Sequence, residues 1–251
     1  MQLALGPWDL VLIAVASLQA TALAYLRHPR WKALLISLPL PFTVASLAVG
    51  QRIGITNVVG LLLLLGFTQG VRILRQNLRV PIVPAIVCSA LGYCLIGGVL
   101  MPLLPKSDTA FYLTSALLLV FAFALLARLP HRAEPGHRTP LPIWIELPIV
   151  AGVILLLVAS KQILGGFITV FPMVGVIAAY EARHSLWTLG RQIPALMIAM
   201  IPLMVTSHLT YPLVGLGPSL ALGWIVFLGI LAPLTWLMWR RPRLGAPQPT
   251  A

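Results

Sequence analysis

Few side chains in this sequence can do chemistry, and most stand alone in apolar surroundings. Gln19 lies midway along a run that also holds Ser17 and Thr21. Gln69 and Arg72 are three residues apart, the spacing that puts two side chains on one helix face. Arg191 and Gln192 sit early in another apolar run, and Glu146 follows Trp144 at the head of a third. In hydrocarbon an amide seeks a neighbouring helix or a bound solute. An ionisable group there either snorkels to the interface or marks a path for ions or protons. These six residues, Gln19, Gln69, Arg72, Glu146, Arg191 and Gln192, are the candidates for a solute path. Of the other acids, Asp108 and Glu134 read as solvated in turns, and Glu181 as close enough to an interface to reach water. His28, His131, His137, His184 and His208 read as scattered in turns. With no Ser/His/Asp grouping, phosphate loop or metal-ligand spacing, the sequence predicts neither an enzyme nor a metal or cofactor site. Cys88 and Cys94 share one apolar run and read as lipid-buried thiols.

The elements that must position these residues are membrane helices. The chain has 251 residues, 59% hydrophobic and 9% charged, with mean hydropathy +0.98. That is too little charge to cover a soluble surface. A net charge of +12 raises the question of nucleic acid. The basic residues, however, punctuate apolar runs singly or in small groups, which membrane topology explains directly. Runs near the ~20 residues needed to cross hydrocarbon as a helix fall at 8–26, 32–50, 56–74, 81–104, 109–128, 143–160, 164–181, 187–206 and 213–239. Only helices satisfy their own backbone in lipid without closing a barrel, so the predicted fold is an all-α polytopic membrane protein of about nine transmembrane helices. The first run lacks the basic region of a signal peptide and reads as a span.

Charge gives the orientation. Odd-numbered turns and the C-terminal tail carry fourteen basic residues, among them Arg27, Arg30, Lys32, Arg72, Arg75, Arg79, Arg183 and Arg191; even-numbered turns carry Arg52, Lys106 and Lys161 alone. This bias predicts an external N-terminus and a cytoplasmic C-terminus. Trp8, Trp31, Trp144, Trp187, Trp236 and Trp239 fall near predicted helix ends, as an aromatic belt requires. The polar, proline-rich stretch 131–142 reads as a linker.

The sequence also matches itself. Residues 90–103, ALGYCLIGGVLMPL, and 221–234, ALGWIVFLGILAPL, are identical at seven of fourteen positions. The same 131-residue offset aligns Arg30 with Lys161, Pro41 with Pro172, Arg52 with Arg183 and Pro81 with Pro212. Spans one to four thus correspond to spans six to nine. Five places is an odd number, so matching helices cross in opposite directions, as in inverted-topology repeats. The domain reading is a first four-helix repeat over 1–104, a linker helix and connector over 105–138, and a second, inverted repeat with tail over 139–251.

Pro39, Pro41 and Pro172 fall inside predicted spans, where they remove backbone donors and kink or break the helix. Gly165 and Gly166 read as a tight turn or a close helix contact beside the last of these. Pro81–Pro84 and Pro212–Pro218 read as the starts of spans four and nine, either simple helix starts or short re-entrant segments.

Residues 155–180, LLLVASKQILGGFITVFPMVGVIAAY, resemble the GlpM family of small bacterial inner-membrane proteins. The resemblance is carried by Ser160, Lys161, Gly165, Gly166, Phe171, Pro172, Ile177, Ala178 and Tyr180. It covers about a tenth of the chain, and the first half keeps only Arg30 and Pro41 of the pattern. Family members have about four spans, and some look like dual-topology proteins that pair antiparallel. The resemblance therefore implies a fused antiparallel pair and brings no biochemical activity with it.

Three functions fit. Inverted repeats with proline-broken helices suit a secondary transporter that binds a small neutral or anionic solute between the halves near mid-membrane. A passive channel shares that plan. A scaffold that binds a membrane-protein partner within the bilayer needs no cavity at all.

Overall fold

The computed structural model describes residues 6–26, 28–129, 143–159 and 165–240, and every regular element among them is helical. The elements are α1 (Pro7–Tyr25), α2 (Pro29–Ser37), α3 (Leu40–Val49), α4 (Ile55–Gln76), α5 (Ile82–Leu100), α6 (Asp108–Arg128), α7 (Ile143–Ala159), a 3₁₀ segment (Gly165–Val170), α8 (Met173–Glu181), α9 (Leu186–Val214) and α10 (Leu216–Arg240). Polar residues set several of the starts by satisfying donors at the helix mouth. Asp9 Oδ2 accepts from the Gly6 amide at 2.8 Å, and Asn57 Oδ1 from the Gly54 amide at 2.7 Å. Ser107 Oγ accepts from the Ala110 amide at 3.2 Å.

Among the described residues, six helices, α1, α4, α5, α6, α9 and α10, are long and apolar enough to cross a membrane. Their surfaces agree with that solvent. Leu95, Val99, Leu117, Val120 and Ile225 stand exposed on α5, α6 and α10, where water would penalise them and lipid does not. Only 22% of the span of each of those three helices is buried, against 61% for α4 and 72% for α9, so α4 and α9 form the centre and the other three its rim. α9 packs on α4, α6 and α10, while α1 packs on α3, α7 and α8.

The remaining apolar runs are shorter or interrupted. α7 has 17 described residues. The runs predicted at 32–50 and 164–181 are each split at proline. Pro39 is the N-cap of α3, Pro41 lies in its first turn, and Pro172 is the N-cap of α8. The prolines therefore separate two short segments in each run, where a kink in one continuous helix was the simpler expectation.

One expectation needs correction. Pro212 does not start a span; it lies inside α9, which runs on to Val214 before Gly215, at φ +77, turns the chain into α10. Only glycine adopts that φ without strain. Trp187 is half-buried and lies under the Arg72 guanidinium at 4.5 Å, so it serves packing as well as any interfacial belt. Trp8, Trp31, Trp144 and Trp236 are exposed as the belt requires.

Candidate functional site

The two proline breaks face a common space. A cavity of about 90 Å³ lies among α1, α3, α4, the 3₁₀ segment, α8 and α9, walled by Leu38, Pro39, Pro41 and Phe42 from one break and Thr169, Val170, Pro172 and Met173 from the other. No ionisable side chain among the described residues lines it. Gln19, buried on α1, stands in its wall, and its place follows from the break. A helix end orphans its last carbonyls. Gln19 Nε2 donates to two carbonyls at the end of α2, Leu38 O at 3.1 Å and Leu35 O at 2.6 Å, the latter shared with the Leu38 amide. Reversing the amide would set its oxygen against two acceptors, so the orientation is fixed. Gln19 Oε1 is then left accepting from no group among the described residues. Thr68, also in the wall, donates its hydroxyl back to Leu64 and Leu65 carbonyls and keeps its lone pairs for other use. The polar part of this wall is thus acceptor in character.

Hydrogen bonds from the central and rim helices hold both breaks. Asn57 Nδ2 on α4 donates to Thr169 Oγ1 at 2.7 Å, and Gln192 Nε2 on α9 donates to Ser37 Oγ at 2.5 Å. Tyr93 Oη on α5 donates to Phe167 O at 3.0 Å, and Trp224 Nε1 on α10 to Thr43 Oγ1 at 2.8 Å.

Of the path candidates whose side chains are described, Gln19 alone lines the cavity. Gln192 is one contact away through Ser37. Gln69 Nε2 lies 3.5 Å from Gly190 O, and the reason is Pro194, which removes the donor that this carbonyl would have in a regular helix. Arg72 is occupied with Trp187. Arg191 Nε donates to Leu129 O at 3.3 Å beside a separate hollow of about 230 Å³ between α6, α9 and α10. Glu146 belongs to α7, but its side chain lies outside the described residues, as do Ser160 and Lys161. Gly165 and Gly166 open the 3₁₀ segment that leads to Pro172.

Two charged groupings escaped the sequence reading. Lys32 Nζ on α2 and a Glu181 carboxylate oxygen at the end of α8 stand 4.0 Å apart with both side chains nearly buried. At the opposite end of α4, His208 lies within α9 and not in a turn, and is buried. Its ring stacks on Phe111 at 4.0 Å with an interplanar angle of 19° and meets the edge of Tyr112. His208 Nδ1 is 2.6 Å from Ile53 O, and Nε2 is 3.3 Å from Asp108 Oδ1. Arg52 donates to Asp108 at 3.3 Å and to His208 O at 3.3 Å. That second acceptor is again the work of a proline, since Pro212 removes the donor four residues on. Arg52, Asp108 and His208 border an open hollow of about 660 Å³ that also takes in Gln51 and Lys106. A proline four residues after a polar side chain within an apolar helix was the available signal for this cluster; the burial of Lys32 and Glu181 had none. Comparison with family models, curated proteins and solved structures finds no match to the chain.

Proposed function

We propose that the chain is a secondary transporter of a small, neutral, polar solute, bound between two inverted repeats where the proline breaks meet. The observation that carries this reading is the central cavity. Its two broken walls are related by the 131-residue offset of the sequence: Leu38 with Thr169, Pro39 with Val170, Pro41 with Pro172, and Phe42 with Met173. Element bounds support the same relation. Ile55 opens α4 and Leu186, 131 residues later, opens α9; α6 is left without a counterpart. Tyr93 and Trp224, the two rim aromatics that hold the breaks, are also 131 apart. Two broken helices around a midplane site suit alternating access. Under this reading the chain crosses nine times, with its N-terminus outside and C-terminus cytoplasmic, and the GlpM-like pattern marks the second copy.

The cavity narrows the solute. At about 90 Å³ it is smaller than the ~150 Å³ cavity that admits benzene, so a solute of a few heavy atoms fits. With no charged group among the described residues of the wall, a fully ionised solute would find no partner there, at high cost. Gln19 Oε1 and Thr68 Oγ1 favour a hydrogen-bond donor. Charged groupings at both ends of α4, with an apolar-walled space between, favour a carrier over an open pore.

The test is counterflow in liposomes holding the purified chain, across a panel of short amides and alcohols. Saturable, counterflow-accelerated uptake is expected. Gln19→Leu should lower it roughly tenfold, the worth of one good hydrogen bond to the solute. Met200→Ala, which widens the cavity, should admit larger members of the panel. Single-channel currents, or no flux of any solute, would overturn the reading.

A further inference from the structure

We propose that His208 binds a proton in this conformation, and that the bound proton latches one end of the bundle shut. A carbonyl oxygen can only accept, so the 2.6 Å contact with Ile53 O requires the proton of the ring to sit on Nδ1. In a neutral ring Nε2 would then be a bare lone pair. It faces a carboxylate oxygen of Asp108 at 3.3 Å, which is also an acceptor. Two acceptors at that distance repel; a second proton, on Nε2, turns the contact into a charge-assisted hydrogen bond. The ligand is the proton itself, taken from water in the hollow onto Nε2 and returned there when the latch opens. The Asp108 side chain, 58% exposed, gives the water access.

The contacts join three parts of the chain. Ile53 and Arg52 belong to the turn before α4, Asp108 and Phe111 to α6, and His208 to α9. The charged and titratable groups around the ring are Asp108 and Tyr112 from α6 and Arg52 from the turn, with Lys106 across the hollow and Tyr211 one turn further along α9. Among its described residues, α10 brings no titratable group to this end. With Asp108 ionised, a neutral ring leaves Nε2 opposed to the carboxylate, whereas the imidazolium bridges α6 and α9. Rising pH therefore removes the bridge. Its bearing on transport, as the ion coupled to closure of that end, rests on the transporter reading; the proton site does not.

Two measurements test it, both on the full chain in lipid nanodiscs and neither needing a solute. The first is nitrogen NMR of labelled histidine, with the His208 signal identified by its loss in His208→Gln. An imidazolium signal is expected at mildly acid pH, passing at alkaline pH to a neutral ring protonated on Nδ1. Asp108→Asn should deplete the imidazolium at a given pH by about tenfold. The second is thiol labelling of Ile53→Cys in a Cys88→Ala, Cys94→Ala background, normalised to labelling of Lys106→Cys. The normalised rate should rise about tenfold from mildly acid to alkaline pH and lose that dependence in His208→Gln. A ring that stays neutral throughout, or a labelling ratio indifferent to pH, overturns the proposal. Failure to find a transported solute would sink the transporter reading and leave this one standing.

Discussion

Lys32 and Glu181 carry a test of how this protein keeps charge in its interior. Their charged ends are 4.0 Å apart and almost wholly enclosed. Removing one partner of a buried pair strands the other, at about 3–5 kcal/mol, whereas removing both leaves nothing unpaired. Thermal melts in one detergent should therefore rank Glu181→Leu well below the parent, with Lys32→Met/Glu181→Leu recovering most of the loss. A double variant no better than the single would show that the two charges are solvated independently. At this scale legibility divided by range. Gln19 could be found because an amide in mid-span is conspicuous by itself. Lys32 could not, because its sequence position next to Trp31 and Arg30 is that of an interfacial cation, and only the fold brings it to Glu181. His208 was misplaced for the same reason, its partners lying 100 and 155 residues away in sequence.

The elements show where prolines and glycines were informative. Pro39 and Pro172 each cap a short helix, and the apolar runs they fall in are divided there. Pro194, Pro202 and Pro212 leave α9 unbroken. A helix continues through proline when neighbours satisfy the freed carbonyls, as Gln69 does at Gly190 and Arg52 at His208. Sequence alone gives the proline but not the neighbour. Glycines divide similarly. A Cβ on Gly223 would lie 2.9 Å from Leu203 O and 2.6 Å from Ser207 Oγ, so α10 meets α9 there at backbone distance. Gly92, its counterpart by the 131-residue offset, has open space around it. Gly223→Ala should cost about 1–3 kcal/mol through overpacking, read as a lower melting temperature, while Gly92→Ala should be neutral or slightly stabilising. Equal effects at both sites would mean that the close approach of α9 and α10 is not what holds them.

For the whole molecule, hydropathy was the strongest signal, and the exposed apolar rim of α5, α6 and α10 agrees with it. The number of crossings was less legible, because six long helices and two proline-split runs can be counted in more than one way. The inverted arrangement proposed for the chain makes a plain prediction. Reporter tags that are active on one side of the membrane only should place the N-terminus outside and the C-terminus in the cytoplasm. Both ends on one side would remove the inversion, and with it the two-fold relation proposed for the cavity walls. The length of α9 has its own effect. At 29 residues it measures about 43 Å, well beyond a hydrocarbon layer of about 30 Å, and His208 lies near its far end. Centred in such a layer, the helix would carry His208 about 12 Å from the middle, inside the hydrocarbon edge, so its ring would depend on the neighbouring hollow for water.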